Sequence, residues 1–118
     1  MEIDLQKISI EWKRGAVKEL MENYPEYSSD SMKCVRWKYN EMIFDFVEYD
    51  GARVRLHTVT EDKLVKGLDI LLDKMQNRKY FNNGPIDMQN YLDDLGCWDA
   101  NDVDALVQCA VFGDIVYG

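Results

Sequence analysis

The sequence predicts an α+β domain on three observations: a helical apolar period near the N-terminus, a block of β-branched and aromatic residues from Met32 to Val59, and renewed helical periodicity after Thr60. The expected order is an N-terminal helix, a three-stranded antiparallel meander, and then three helices covering the sheet. A chain of 118 residues fits one domain, residues 1–118, with one core. Apolar residues make up 47% and charged residues 31%, a globular balance rather than a disordered one. Pro25 and Pro85 stand alone at element boundaries, and no repeat or Gly/Ser/Pro-rich linker divides the chain.

The first helix is expected from about Ser9 to Asn23. Trp12, Ala16, Val17, Leu20, Met21 and Tyr24 recur at three- and four-residue steps, Ser9 supplies a cap, and Pro25 forces a stop; Gly15 weakens the middle. In the meander, Asp50-Gly51 carries a two-residue hairpin signal, which sets Tyr49 against Ala52, Glu48 against Arg53 and Val47 against Val54. A two-residue turn at Asn40-Glu41 sets Trp37 against Phe44 and Arg36 against Asp45. Val35, Trp37, Tyr39, Met42, Phe44 and Phe46 then share one face, and Ile43, Val47, Val54 and Leu56 the other. A middle strand apolar on both sides is expected to be covered on both faces.

Thr60 caps the next helix. Glu61 and Asp62 suit its positive end, and its apolar set is Leu64, Val65, Leu68, Leu71, Leu72 and Met75. Asn82-Asn83-Gly84-Pro85 breaks the chain, Pro85 fits the first turn of a short helix running through Leu95, and Gly96 fits its C-terminal cap. The last helix is expected to start near Asp99 or Asn101, to bury Val103, Leu106, Val107, Ala110 and Val111, and to end at Gly113.

Charge divides the chain unevenly. The whole carries −8, with 14 Lys+Arg and 22 Asp+Glu. Residues 80–118 contain Asp87, Asp93, Asp94, Asp99, Asp102, Asp104 and Asp114 and no Lys or Arg, leaving 15 acids against 14 bases in residues 1–79. Aspartate caps helices and turns, and net charge keeps small proteins dissolved. A one-sign surface also attracts a basic partner and rejects acidic competitors. Asp87, Asp93, Asp94, Asp99, Asp102 and Asp104 are accordingly the candidate partner-binding residues.

Chemistry has little support. His57, the only histidine, is expected on a strand near Arg53 and Arg55, and no acid can be placed against it from spacing. Asp99, Asn101, Asp102 and Asp104 crowd oxygen ligands but miss the EF-hand spacing, with Asp104 where a glycine belongs and no glutamate at position 110. Cys34, Cys97 and Cys109 are widely spaced and expected to be reduced thiols. No catalytic, cofactor-binding or metal-binding residue is therefore assigned. Lys33, Arg36, Lys38, Arg53 and Arg55, interleaved with Trp37, Tyr39 and Phe44, have the composition of a single-strand binding surface, but a net −8 opposes direct nucleic-acid binding. No apolar run reaches the roughly 18 residues of a membrane span, and Glu2 and Asp4 stand where a signal peptide carries positive charge. The expected location is the cytoplasm, without membrane contact.

The C-terminal stretch from Trp98-Asp99-Ala100-Asn101-Asp102-Val103-Asp104 through Ala110-Val111-Phe112-Gly113-Asp114 to Tyr117-Gly118 resembles the ending of small uncharacterised proteins carried by bacteriophages and other mobile elements. The resemblance covers about a fifth of the chain. It implies a bacterial host cell and, among small acidic phage proteins, inhibitors of the anti-CRISPR and anti-restriction type that occupy basic nucleic-acid-binding surfaces. The expectation is a non-enzymatic binding protein for a basic host protein or protein–nucleic-acid complex. The alternatives are an immunity protein for a basic toxin, or a homo-oligomeric accessory subunit burying Val107–Phe112 and Tyr80-Phe81 against a second copy.

Overall fold

The structure, a computed structural model, describes residues 3–80, 82, 84 and 86–117. Helix α1 (Ile10–Met21) is followed by strands β1 (Met32–Lys38), β2 (Ile43–Asp50) and β3 (Arg53–Thr60), then by α2 (Glu61–Gln76), α3 (Met88–Asp93) and α4 (Ala100–Phe112). The strands form one antiparallel sheet in the order β1-β2-β3 with helices packed on it, so the chain is α+β with the predicted order. Pro85 and Phe81 lie outside the described residues.

Local signals account for the helix ends. The Ser9 hydroxyl accepts from the Trp12 amide, and α1 buries Ala16, Val17, Leu20 and Met21. A 3₁₀ turn at Tyr24–Tyr27, with Pro25 in its first turn, takes the chain to β1. Asp99 and Asp102 form a reciprocal capping box at the start of α4, and Gly113 closes it in the left-handed conformation at φ 73°. The short helix differs from expectation. It starts at the Asp87 cap and ends at Asp93, and Gly96 lies within a separate 3₁₀ turn, Leu95–Cys97, held by the Asp94 side chain instead of acting as a helix cap.

The sheet departs from expectation in three places. The second hairpin turns at Gly51-Ala52, pairing Asp50 with Arg53, Tyr49 with Val54, Glu48 with Arg55 and Val47 with Leu56. Gly51, at φ 59°, takes the first central position of the turn, which leaves Asp50 in the strand. In the first hairpin Arg36 faces Asp45 and Trp37 faces Phe44 as predicted, across a wider turn at Tyr39–Glu41 that ends on Met42 at φ 53°. A bulge between Cys34 and Arg36 then re-aims β1. Met32 and Cys34 enter the core with Phe44, Phe46 and Val59, while Val35 (49% exposed) and Trp37 (44%) do not.

The third departure is the cover. Helices close one face only; on the other, Val54 is 64% and Leu56 61% exposed. The apolar surface available to helix packing goes to the inner face and to helix–helix contact, most closely between α2 and α4. The Val107–Phe112 run is used within the chain: Val107 and Cys109 are buried, and Ala110, Val111 and Phe112 pack against the same core. All three cysteines are free thiols, with Cys34 and Cys109 buried.

Candidate functional site

The predicted carboxylates divide by depth. Asp87, Asp94 and Asp99 each start a helical turn, accepting from the amides of Asn90 (3.3 Å), Gly96 (2.9 Å) and Asp102 (2.9 Å). Asp93 accepts from the Gln89 side chain at 2.9 Å. All four are exposed, and among the described residues none forms an ion pair with a Lys, Arg or His. Their bonding partners are neutral, so capping leaves the negative charge uncompensated. The segment packs on the helical side of the molecule, its 3₁₀ turn against α1.

Asp102 is not on this surface. It is fully buried, and its carboxylate accepts from the Tyr80 hydroxyl (2.6 Å), the Tyr91 hydroxyl (3.1 Å), the Asn82 side-chain amide (3.0 Å) and the Asp99 amide (3.0 Å). Asp104 is half-buried, taking the Tyr24 hydroxyl at 2.7 Å and the Gln108 amide at 2.8 Å. Burial, then the adjacent carboxylates, push the Tyr24, Tyr80 and Tyr91 hydroxyls well above the usual phenol range. Asp102 and Asp104 are therefore structural acceptors. Asp114 is exposed and paired with Lys74 at 2.6 Å.

A second polar cluster was not anticipated. Glu48, 3% exposed, accepts from the Tyr117 hydroxyl and lies 2.8 Å from His57 Nε2, while the Phe112 ring packs edge-on against both His57 and Tyr117. The acid that spacing could not place beside His57 comes from the neighbouring strand. With the turn at Gly51-Ala52, Glu48 stands opposite Arg55 and diagonal to His57. The hydrogen bonds from Tyr117 and then His57 hold the Glu48 carboxyl below its ordinary range, and the Glu48 contact pushes Tyr117 up to about 12. Gln108 completes the arrangement. Its side chain accepts from the Val116 and Tyr117 amides and donates to the Tyr117 carbonyl, strapping the C-terminal segment onto α4.

The Glu48–His57 pair has the geometry of an oriented base. Among the described residues, however, no serine, threonine or cysteine side chain is hydrogen-bonded to either member, so a nucleophile is missing from the contact set. An open cleft of about 560 Å³ lies beside α4, lined by Lys74, Lys79, Asn82, Asp104, Gln108 and Asp114 among others. Its polar groups are largely committed to one another through the Lys74–Asp114 and Asp104–Gln108 contacts. No group of three or more His, Cys, Asp or Glu side chains suited to a metal ion occurs among the described residues. No helix there is long and apolar enough to cross a membrane.

No family model, no curated protein and no solved structure matches the chain.

Proposed function

We propose that this is a non-enzymatic binding protein whose exposed carboxylates Asp87, Asp93, Asp94 and Asp99 dock on the basic surface of a nucleic-acid-binding protein and occlude it. A phage-encoded inhibitor of the anti-CRISPR or anti-restriction type would act in this way. The observation that carries the reading is that these four charges are exposed and, among the described residues, form no ion pair, on a stretch without Lys or Arg. Such a field speeds association with a cationic surface and weakens as salt rises. The Val107–Phe112 run, which motivated self-association, packs into the chain's own core, so the carboxylates are the stronger argument for a partner.

Substituting Asp87, Asp93, Asp94 and Asp99 together by Asn tests this cleanly, because asparagine caps helices about as well as aspartate while removing the charge. The expected outcome is that the unmodified protein captures a basic nucleic-acid-binding protein from a lysate of its source cells at low salt, releases it at high salt, and loses it on substitution. Capture that is indifferent to the four substitutions and to salt would sink the proposal.

A further inference from the structure

The uncovered face of the sheet carries the opposite charge. In register, Tyr49 stands beside Val54, Val47 beside Leu56 and Lys33, and Ile43 beside Lys38, all on the side away from the helices. Val54 and Leu56 are 64% and 61% exposed and Tyr49 45%, so an aliphatic patch lies open where sheets ordinarily meet another layer. The one carboxylate of this face among the described strand residues, Asp45, is 8% exposed and already bonded to Arg36 at 2.8 Å and to the Thr58 hydroxyl at 2.7 Å. Lys33 and Lys38 are exposed and form no ion pair among the described residues. The face is therefore apolar along its centre and positive along β1, on a chain whose net charge is −8.

We infer that this face docks a protein element presenting an apolar ridge flanked by carboxylates, such as an acidic amphipathic helix. Charge complementarity selects this occupant. A face-to-face pair of copies would bring both sets of β1 lysines into one interface with only Asp45, already neutralised, to offset them. A nucleic acid would find two rings set apart by the aliphatic Val47, Val54 and Leu56: Tyr49, and Trp37, which lines an open pocket with Arg36, Lys38, Ile43 and Asp45. Aliphatic side chains bury well against protein and stack poorly with bases. The inference is independent of the helical-side carboxylates and gives the molecule two binding poles of opposite sign.

The test uses the full chain labelled with nitrogen-15 and two synthetic amphipathic helices, each with a leucine stripe flanked by glutamates in one and by lysines in the other. The glutamate peptide is expected to shift the amide resonances of Lys33, Val47, Val54 and Leu56 and to bind about tenfold more tightly than the lysine peptide, as a few partly exposed charge pairs allow. Lys33→Glu with Lys38→Glu, made at exposed positions and checked by an unchanged thermal midpoint, should abolish that preference, and Leu56→Gln should weaken both peptides. The four Asp→Asn substitutions at the helical pole should leave glutamate-peptide binding undiminished, which separates this inference from the proposed function. Equal affinity for the two peptides would overturn it, as would a single-stranded oligonucleotide shifting the same amides more strongly. Light scattering that shows a dimer whose sheet face is protected in the free protein would overturn it as well.

Discussion

Asp102 shows how much a single residue's depth decides. Truncation to alanine would leave the Tyr80 and Tyr91 hydroxyls and the Asp99 backbone amide without their acceptor, while the Asn82 amide keeps its bonds to the Asp99 carboxylate. Each buried donor so left unsatisfied costs about 1–3 kcal/mol. Asp93→Ala, at an exposed position whose partner is a glutamine four residues away, should change stability by no more than about 0.5 kcal/mol. Urea denaturation of the two variants checks the contrast; equal losses would mean that the Asp102 network is not formed. Charge counting made both residues candidates for partner binding because it is blind to depth. The periodicity carried the missing signal: Asp102 precedes Ala105 by three and Leu106 by four residues, which places it on the buried stripe of α4. Glu48 was hidden for a different reason, since its neighbour His57 depends on a turn position that one residue of displacement changes.

Among the helices, α2 and α4 pack backbone to backbone at Gly67, against Ala110. A Cβ built there would lie 2.6 Å from the Ala110 amide nitrogen and 2.8 Å from its Cα, backbone atoms that cannot swing aside. Gly67→Ala is therefore expected to destabilise by about 1–3 kcal/mol through overpacking, although alanine is intrinsically the better helix former by about 1 kcal/mol. Gly15→Ala supplies the control, because nothing lies within 4 Å of the Cβ it would add to α1, and it should stabilise by about 0.5–1 kcal/mol. Thermal or urea melts of the pair check the opposite signs, and a stabilising Gly67→Ala would contradict the helix contact. Helices were the legible elements, since the spans after Ser9 and Asp99 follow from capping residues and apolar period, and α2 follows from its apolar period, Thr60 holding the N-cap position without the side-chain bond expected of it. Strand pairing was legible only in part. The Val35 bulge and the Gly51-Ala52 turn depend on backbone geometry and tertiary packing, which alternation alone does not specify.

For the whole molecule, the same contacts set how stability responds to pH. On the acid side, Asp45, Glu48 and Asp114 are held below their ordinary ranges, Asp45 chiefly by the Thr58 hydroxyl, Glu48 by Tyr117 and Asp114 by Lys74. A carboxyl whose folded-state pKa is depressed contributes stability that is complete above its unfolded value, near 4, and is lost as pH falls through the folded one. On the alkaline side the shifts run the other way. Burial raises Cys34 and Cys109 to about 11, and Tyr24, Tyr80, Tyr91 and Tyr117 all rise above the usual phenol value. Here the folded state retains protons that the unfolded chain releases, so stability is complete below the unfolded values of about 9 and 10 and falls as pH climbs through the folded ones. The expected profile of urea midpoint against pH is flat between about 5 and 8, with a fall below about 4 and a second fall beginning near pH 9. Tyr117→Phe should lower the plateau, because Glu48 loses a donor, and should make the alkaline fall shallower, because one titrating hydroxyl has gone. An unchanged alkaline limb in that variant would mean that Tyr117 does not sit on Glu48, and with it the strap that Gln108 holds across the sheet end of α4 would have to be redrawn.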